Sequence, residues 1–200
     1  MPYDILHFGS CVKLFGVILA TFSNSLILIL LQRKASGKLG TYRYLMMSYT
    51  IIELVYSISY YLSDMAAHST NTSYVLFRKY RGENRLIGSI ILMQFCVMYI
   101  VVLTILAVHF IYRFFALCAK SKLPLLFTPR KLFIWILFCL IFGIIVGGFK
   151  CYMFYETPFR TRKLQAEFEK YYNLSMNEIV YNGPVYKLCD SETHCYNPKA

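Results

Sequence analysis

Four stretches of this chain are apolar almost without interruption, and each is about as long as a bilayer is thick. They cover 11–31 (CVKLFGVILATFSNSLILILL), 44–66 (YLMMSYTIIELVYSISYYLSDMA), 86–115 and 132–154 (LFIWILFCLIFGIIVGGFKCYMF). A helix needs about 20 apolar residues to cross about 30 Å of hydrocarbon. The runs are continuous rather than alternating, so they predict helices and not the strands of a membrane barrel. The first run has no basic residue ahead of Lys13, and it is followed by QRKASGK instead of a small-residue cleavage site. It reads as a true span and not as a cleaved leader. The pattern therefore predicts an all-α integral membrane bundle of four transmembrane helices. Residues 1–10 form a short extracellular N-terminus, 11–154 the membrane region, and 155–200 a mostly irregular extracellular loop or tail.

Within the second run the polar residues are not scattered. Tyr49, Glu53, Tyr56, Tyr60 and Asp64 recur at spacings of four, three, four and four, which sets all five on one helical face. A carboxylate at a helix centre costs roughly 2.5–3.5 kcal/mol on insertion scales. Glu53 should therefore face other helices or a wet cavity, either as part of a ligand pocket or switch network or as a structural hydrogen-bond partner. Asn24 in the first run is a second polar group at depth, with a hydrogen bond to helix two as its expected role. Gly143 and Gly147 form a GxxxG in the fourth run, which permits close helix contact. His109 and Arg113 stand one turn apart at the end of the third run. Read alone, Arg113 is an anchor at the membrane edge.

Composition agrees with a membrane protein. The chain is 58% hydrophobic with a formal charge of +11, and its mean hydropathy is +0.49. A basic soluble domain would raise nucleic acid as a partner. Here the basic residues lie between apolar runs, where they read as flanks of spans in contact with the lipid bilayer. Arg33, Lys34, Lys38 and Arg43 mark one acid-free loop, and Lys120, Lys122, Arg130 and Lys131 another. Both are cytoplasmic by the positive-inside rule. The loop between them carries Arg78, Lys79, Arg81 and Arg85 against Glu83, so its charge does not add to the signal. Asn71-Thr72-Ser73 and Asn173-Leu174-Ser175 are glycosylation sequons on the opposite side. The expected orientation has the N-terminus outside.

In 155–200 acids and bases balance. RKLQAEFEKYY places Leu164, Phe168 and Tyr171 on one face of a short amphipathic helix. Ser175–Glu178 has capping-box spacing, and Asn182-Gly183-Pro184 reads as a turn. Cys189 and Cys195 are a candidate local disulfide for an extracellular tail, while with His194 they make only a weak metal pattern. No HExxH, Gly-rich phosphate loop, or pair of His or carboxylates at one membrane depth appears, so nothing points to an enzyme, a cofactor or a metal centre.

Several stretches together resemble the nematode seven-transmembrane chemoreceptors of the Str type. They are GTYRYLMMSYTIIELVYS (40–57), LAVHFIYRFFALC (106–118), TPRKLFIWILF (128–138) and YYNLSMNEIVYNGPVY (171–186). The resemblance implies a G-protein-coupled receptor for odorants or other chemical cues, in the plasma membrane of sensory neurons or their cilia. It implies a heterotrimeric G protein and a small-molecule cue as partners. It also gives Tyr112-Arg113 the place of the arginine motif that ends the third helix in rhodopsin-like receptors, with His109 beside it. Arg113, Tyr112 and His109 are thus the expected coupling and switch residues. Glu53, Tyr56, Tyr60 and Asn24 are expected to form an inner polar network or ligand pocket. Two departures stand out: three helices are missing after Ala200, the mark of a truncated or incomplete form, and no Cys stands near Leu86 to tie helix three to the next loop. The alternative is a small four-span channel subunit or association partner, whose pore face would be the polar stripe of helix two.

Overall fold

A computed structural model describes residues 2–33, 40–79, 82 and 84–186. Its long helices are α1 (Pro2–Arg33), α2 (Thr41–Ser63), α3 (Arg85–Cys118) and α5 (Pro129–Met153). A one-turn helix α4 (Leu123–Leu126) lies between α3 and α5, and α6 (Pro158–Tyr172) follows. Three of the helices are long and apolar enough to cross a membrane: Phe8–Arg33, Arg85–Cys118 and Pro129–Met153, with mean hydropathies of 2.3, 2.6 and 2.8. Helix α2 is not among them. The observed helices also shift the expected boundaries. The first is helical from Pro2, so residues 2–10 of the expected short N-terminus 1–10 are part of α1. The second ends at Ser63, where Asp64 turns the chain with φ 45°, and Met65 and Ala66 belong to a strand instead.

Helix starts follow local chemistry. Thr128 and Thr157 accept hydrogen bonds from the backbone N–H groups of Lys131 and Arg160, and each is followed by proline at the first helical position. Such caps satisfy backbone donors that a helix start leaves open, and proline lacks one of those donors in any case.

Helix α3 is the centre of the bundle, packed on one side by α2 and on another by α5, while α1 rests on α2. The α3–α5 contact is made by glycine. A Cβ on Gly147 would stand 2.8 Å from the Val97 Cα, and one on Gly143 would stand 2.4 Å from the Val101 side chain. The GxxxG thus serves contact within the chain.

Beyond one end of the bundle lies a cap that sequence patterning did not predict. Strands β1 (Met65–Ser69), β2 (Tyr74–Lys79) and β3 (Ile179–Asn182) form an antiparallel sheet with β2 in the middle. Phe77 pairs with Ala66 on one side and Tyr181 on the other. Alternation assigns the two faces. Val75, Phe77, Ile179 and Tyr181 pack with Leu164 and Phe168 of α6. Leu76 and Val180 pack with Leu92, Phe95 and Cys96 of α3. Phe77 meets Phe168 edge to face at 4.9 Å.

The described part of the expected irregular tail is therefore ordered: it carries α6, a 3-10 turn at Met176–Glu178 and β3. On α6, Leu164 and Phe168 are buried as expected, but Tyr171 is exposed and Tyr172 takes its place inward. Ser175 caps the 3-10 turn, accepting from the Asn177 N–H, in place of the expected helix start. Asn182-Gly183-Pro184 is not a turn. Tyr74 N–H donates to the Pro184 carbonyl at 3.0 Å, and Ser73 bridges to Val185, so the chain continues alongside β2. A Cβ on Gly183 would stand 2.1 Å from the Tyr74 carbonyl oxygen, which is why glycine is required there.

The glycine contact gives a direct stability prediction. Gly147→Leu should lower the thermal midpoint of the detergent-solubilised chain, by overpacking that costs about 1–3 kcal/mol. Gly16→Leu on α1, where a new Cβ meets nothing within 4 Å, should leave it unchanged. A thermal melt followed by size exclusion compares the two.

Candidate functional site

Helices α1, α2 and α3 enclose a cavity of about 210 Å³. It lies at the end of the bundle away from the cap, where α2 begins and α3 ends. Asn24, Glu53, His109 and Arg113 all line it, together with Tyr42 and Tyr49. Four expected site residues from three helices are thus brought to one place.

Aromatic packing holds the cavity wall. The Tyr42 ring stacks on Tyr112 at 4.9 Å and meets His109 at 5.8 Å. Tyr49 meets His109 edge-on at 5.1 Å. Tyr112 lies behind the cavity, against Phe127 at 5.0 Å, and Phe127 stacks on Trp135 of α5. Trp135 in turn donates to the Leu126 carbonyl at 3.3 Å. The loop between α3 and α5 is thereby tied to the ring that positions Tyr42.

The polar groups have distinct environments. Arg113 is exposed, and its Nε donates to the Tyr42 hydroxyl at 3.2 Å. His109 is buried, and its Nε2 has no hydrogen-bond partner among the described residues. Glu53 is half-buried and Asn24 buried. Glu53 and Arg113 line the same cavity and form no ion pair with each other among the described residues. A carboxyl group on α2 and a guanidinium on α3 therefore line one small space.

Tyr56 and Tyr60 do not join this group. They pack on Phe95 of α3, at 5.6 and 5.7 Å, nearer the cap. The expected network of helix two is split in two: an inner polar cavity and an outer aromatic contact. Asp64, the last of the stripe, pairs with Lys13 of α1 at 3.4 Å. The channel alternative needs the stripe to face a pore, whereas here it packs against α1 and α3.

Asn71 and Asn173 are both exposed and both on the cap. The cap is fastened by a carboxylate. Glu167 of α6 accepts from Thr72 Oγ1 at 3.1 Å and Ser73 Oγ at 3.3 Å, and it pairs with His68 Nε2 at 3.2 Å. The other ring nitrogen of His68 hydrogen-bonds the Tyr172 hydroxyl at 3.1 Å, and burial raises the pKa of that phenol. The two sequons thus belong to one body. Cys189 and Cys195 lie outside the described residues.

Comparison with known proteins fits this arrangement. The family model for serpentine-type seven-transmembrane GPCR chemoreceptors, Str, matches residues 10–198. The chain belongs to the Str chemoreceptor family. It is 24% identical over 181 residues to G-protein coupled receptor str-33 of Caenorhabditis elegans, covering 90% of this chain and 52% of that protein. Serpentine receptor class r-10 of the same species is 27% identical over 173 residues, covering 86% of this chain and 50% of that protein. Its Caenorhabditis briggsae counterpart is 26% identical over 172 residues. The chain spans about half the length of these curated relatives. No solved structure matches.

Tyr42 and Tyr49 were not on the expected list of site residues. Tyr49 lies in the stripe, and stepping back seven residues from it along the same helical face reaches Tyr42. A double-mutant cycle with Tyr42→Phe and Arg113→Ala should show a coupling of about 1 kcal/mol in thermal stability. Strictly additive effects would mean that the Tyr42–Arg113 bond contributes nothing.

Proposed function

We propose that this chain forms the four-helix portion of a G-protein-coupled chemosensory receptor, with α2 as the fourth membrane span and the N-terminus outside. The receptor sits in the plasma membrane of sensory neurons or their cilia, takes a small odorant or other chemical cue, and works with a heterotrimeric G protein. The observation that carries this reading is the shared cavity of Asn24, Glu53, His109 and Arg113, closed by the Tyr42–Arg113 hydrogen bond.

The mechanism is a shift between two populations, with no chemistry on the ligand. In the state described here Tyr42 holds Arg113 at the membrane edge. A cue that favours another packing of the helices releases the guanidinium, which keeps its charge in either setting and presents several donors to a G protein. Glu53 and His109 are the groups in reach of that rearrangement. Outward, α2 offers Ile51, Val55, Ile58 and Leu62 on one exposed face, which suits lipid, while its polar stripe is turned inward. That partition supports α2 as a span in spite of its polarity.

Two experiments test this reading. In the receptor expressed from its full coding sequence, Arg113→Ala should reduce cue-dependent G-protein activation by at least about tenfold, equivalent to roughly 1.4 kcal/mol, at unchanged surface level. Signalling equal to the parent would remove the coupling role. For orientation, Asn71→Gln and Asn173→Gln should each abolish one endoglycosidase-sensitive glycan. Unmodified Asn71 and Asn173, with the loop at Lys34 labelled from outside intact cells, would reverse the topology.

A further inference from the structure

A second cavity lies at the other end of the bundle, between the first turns of α3 and the last turns of α5. Its volume is about 420 Å³, within the about 300–1,000 Å³ of small-molecule sites. Leu86, Ile90 and Met93 of α3 face Tyr152 of α5 across it, and Val180 and Asn182 of β3 contribute to the wall. None of the expected site residues lines it. Leu86, Ile90 and Tyr152 are exposed at the rim, so the cavity is open on that side.

The wall is mostly apolar, and its polar side chains are those of Ser89, Tyr152, Tyr155, Tyr181 and Asn182. Asn182 is 5% exposed, and its Nδ2 donates to the Cys151 carbonyl at 3.0 Å. A carbonyl can only accept, so this bond fixes which end of the amide is which. The remaining atom, Oδ1, is buried with no hydrogen-bond partner among the described residues. An orphan buried acceptor is costly. Neighbouring polar groups are already engaged. Tyr181 N–H donates to Glu156 Oε1 at 3.0 Å, the other Glu156 oxygen pairs with Arg85, and Ser89 donates to the Arg85 carbonyl. No carboxylate lines the cavity, and the Lys150 ammonium is nearby, 3.6 Å from Cys96 Sγ. A cationic ligand has no counter-charge there.

We propose that this cavity binds a small, neutral, membrane-soluble molecule, an aliphatic alcohol by chemical class, whose hydroxyl donates to Asn182 Oδ1 while its hydrocarbon lies between α3 and α5. The ligand's role as a cue rests on the receptor reading above; its binding does not. The cavity reaches both α3, which carries Arg113 at its other end, and β3 of the cap. Occupancy therefore bears on the helix that the proposed switch uses.

Gly148 supplies a clean way to fill the site. It lines the cavity, and a Cβ there meets nothing within 4 Å, in contrast to Gly147. The test uses the chain in lipid nanodiscs, photolysed with a diazirine-bearing octanol and, separately, with the matching diazirine-bearing octane. Adducts are mapped by mass spectrometry. The alcohol should label Met93, Cys151 or Tyr152, and excess 1-octanol should suppress that labelling. Gly148→Leu should abolish it with the thermal midpoint retained. Asn182→Leu should weaken the alcohol labelling about fivefold, the loss of one hydrogen bond, and leave octane labelling unchanged. Equal labelling by alcohol and octane, or labelling that survives Gly148→Leu, would overturn the site and leave a groove filled by acyl chains. Failure here leaves the Arg113→Ala result unaffected, and failure of G-protein activation leaves this labelling unaffected, so the two readings fall separately.

Discussion

Two glycines on one helix set the spacing on which the rest of the structure depends. Within hydrocarbon, lipid tails are as apolar as leucine, so helices gain little by exchanging lipid for each other. Close backbone approach and dispersion must hold them. Gly143 and Gly147 let α5 settle directly on Val97 and Val101 of α3. With α5 fixed there, α3 is covered on two sides, and its two ends acquire different neighbours. At the end away from the cap, Phe127 and Trp135 brace Tyr112 and, through it, Tyr42. At the end near the cap, α3, α5 and β3 enclose a mostly apolar space lined by Asn182, whose Oδ1 is buried without a hydrogen-bond partner among the described residues.

Polar groups within the helices follow the cost of placing them in lipid. Three that the sequence carries along the helices are turned inward or given a partner. Asn24 is buried, Ser59 accepts from the Gln94 amide at 2.9 Å, and Asp64 meets Lys13. The two cavities differ in chemistry. The one away from the cap is lined by a carboxyl, a guanidinium, an imidazole and an amide. The one near the cap is lined mostly by hydrocarbon. The cap joins them to the rest of the chain: one face of its sheet packs on α6 and the other on α3, and Glu167 stitches the β1–β2 turn to α6.

Much of this was legible in the sequence. Continuous apolar runs located the long helices to within a few residues, or nine at the start of the first, and the four-three-four-four stripe singled out Glu53. The proposed coupling residues came from resemblance and not from spacing, since an arginine at a membrane edge reads by itself as an anchor. The sheet was illegible for a physical reason. Val75-Leu76-Phe77 and Ile179-Val180-Tyr181 are buried on both faces, so they lack the alternation that marks a strand with one wet side. Such short apolar runs have no period to read. Met65 and Ala66 looked like the end of a helix because nothing in their composition announces the left-handed turn at Asp64. The pairing of Tyr42 with Arg113, seventy-one residues apart, depends on helix packing that no local pattern encodes.

The central claim is that α2 crosses the membrane with its polar stripe inward, although composition alone does not mark it as a span. Thiol accessibility along α2 tests it most directly. Single cysteines at Ile51, Val55, Ile58 and Leu62, in the chain with its native cysteines replaced, are offered a membrane-impermeant maleimide and a lipid-soluble one. The account predicts that the lipid-soluble reagent labels Val55 and Ile58 while the impermeant one reaches neither from either side of the bilayer. Labelling of Val55 by the impermeant reagent would place α2 outside the hydrocarbon and contradict the four-span architecture.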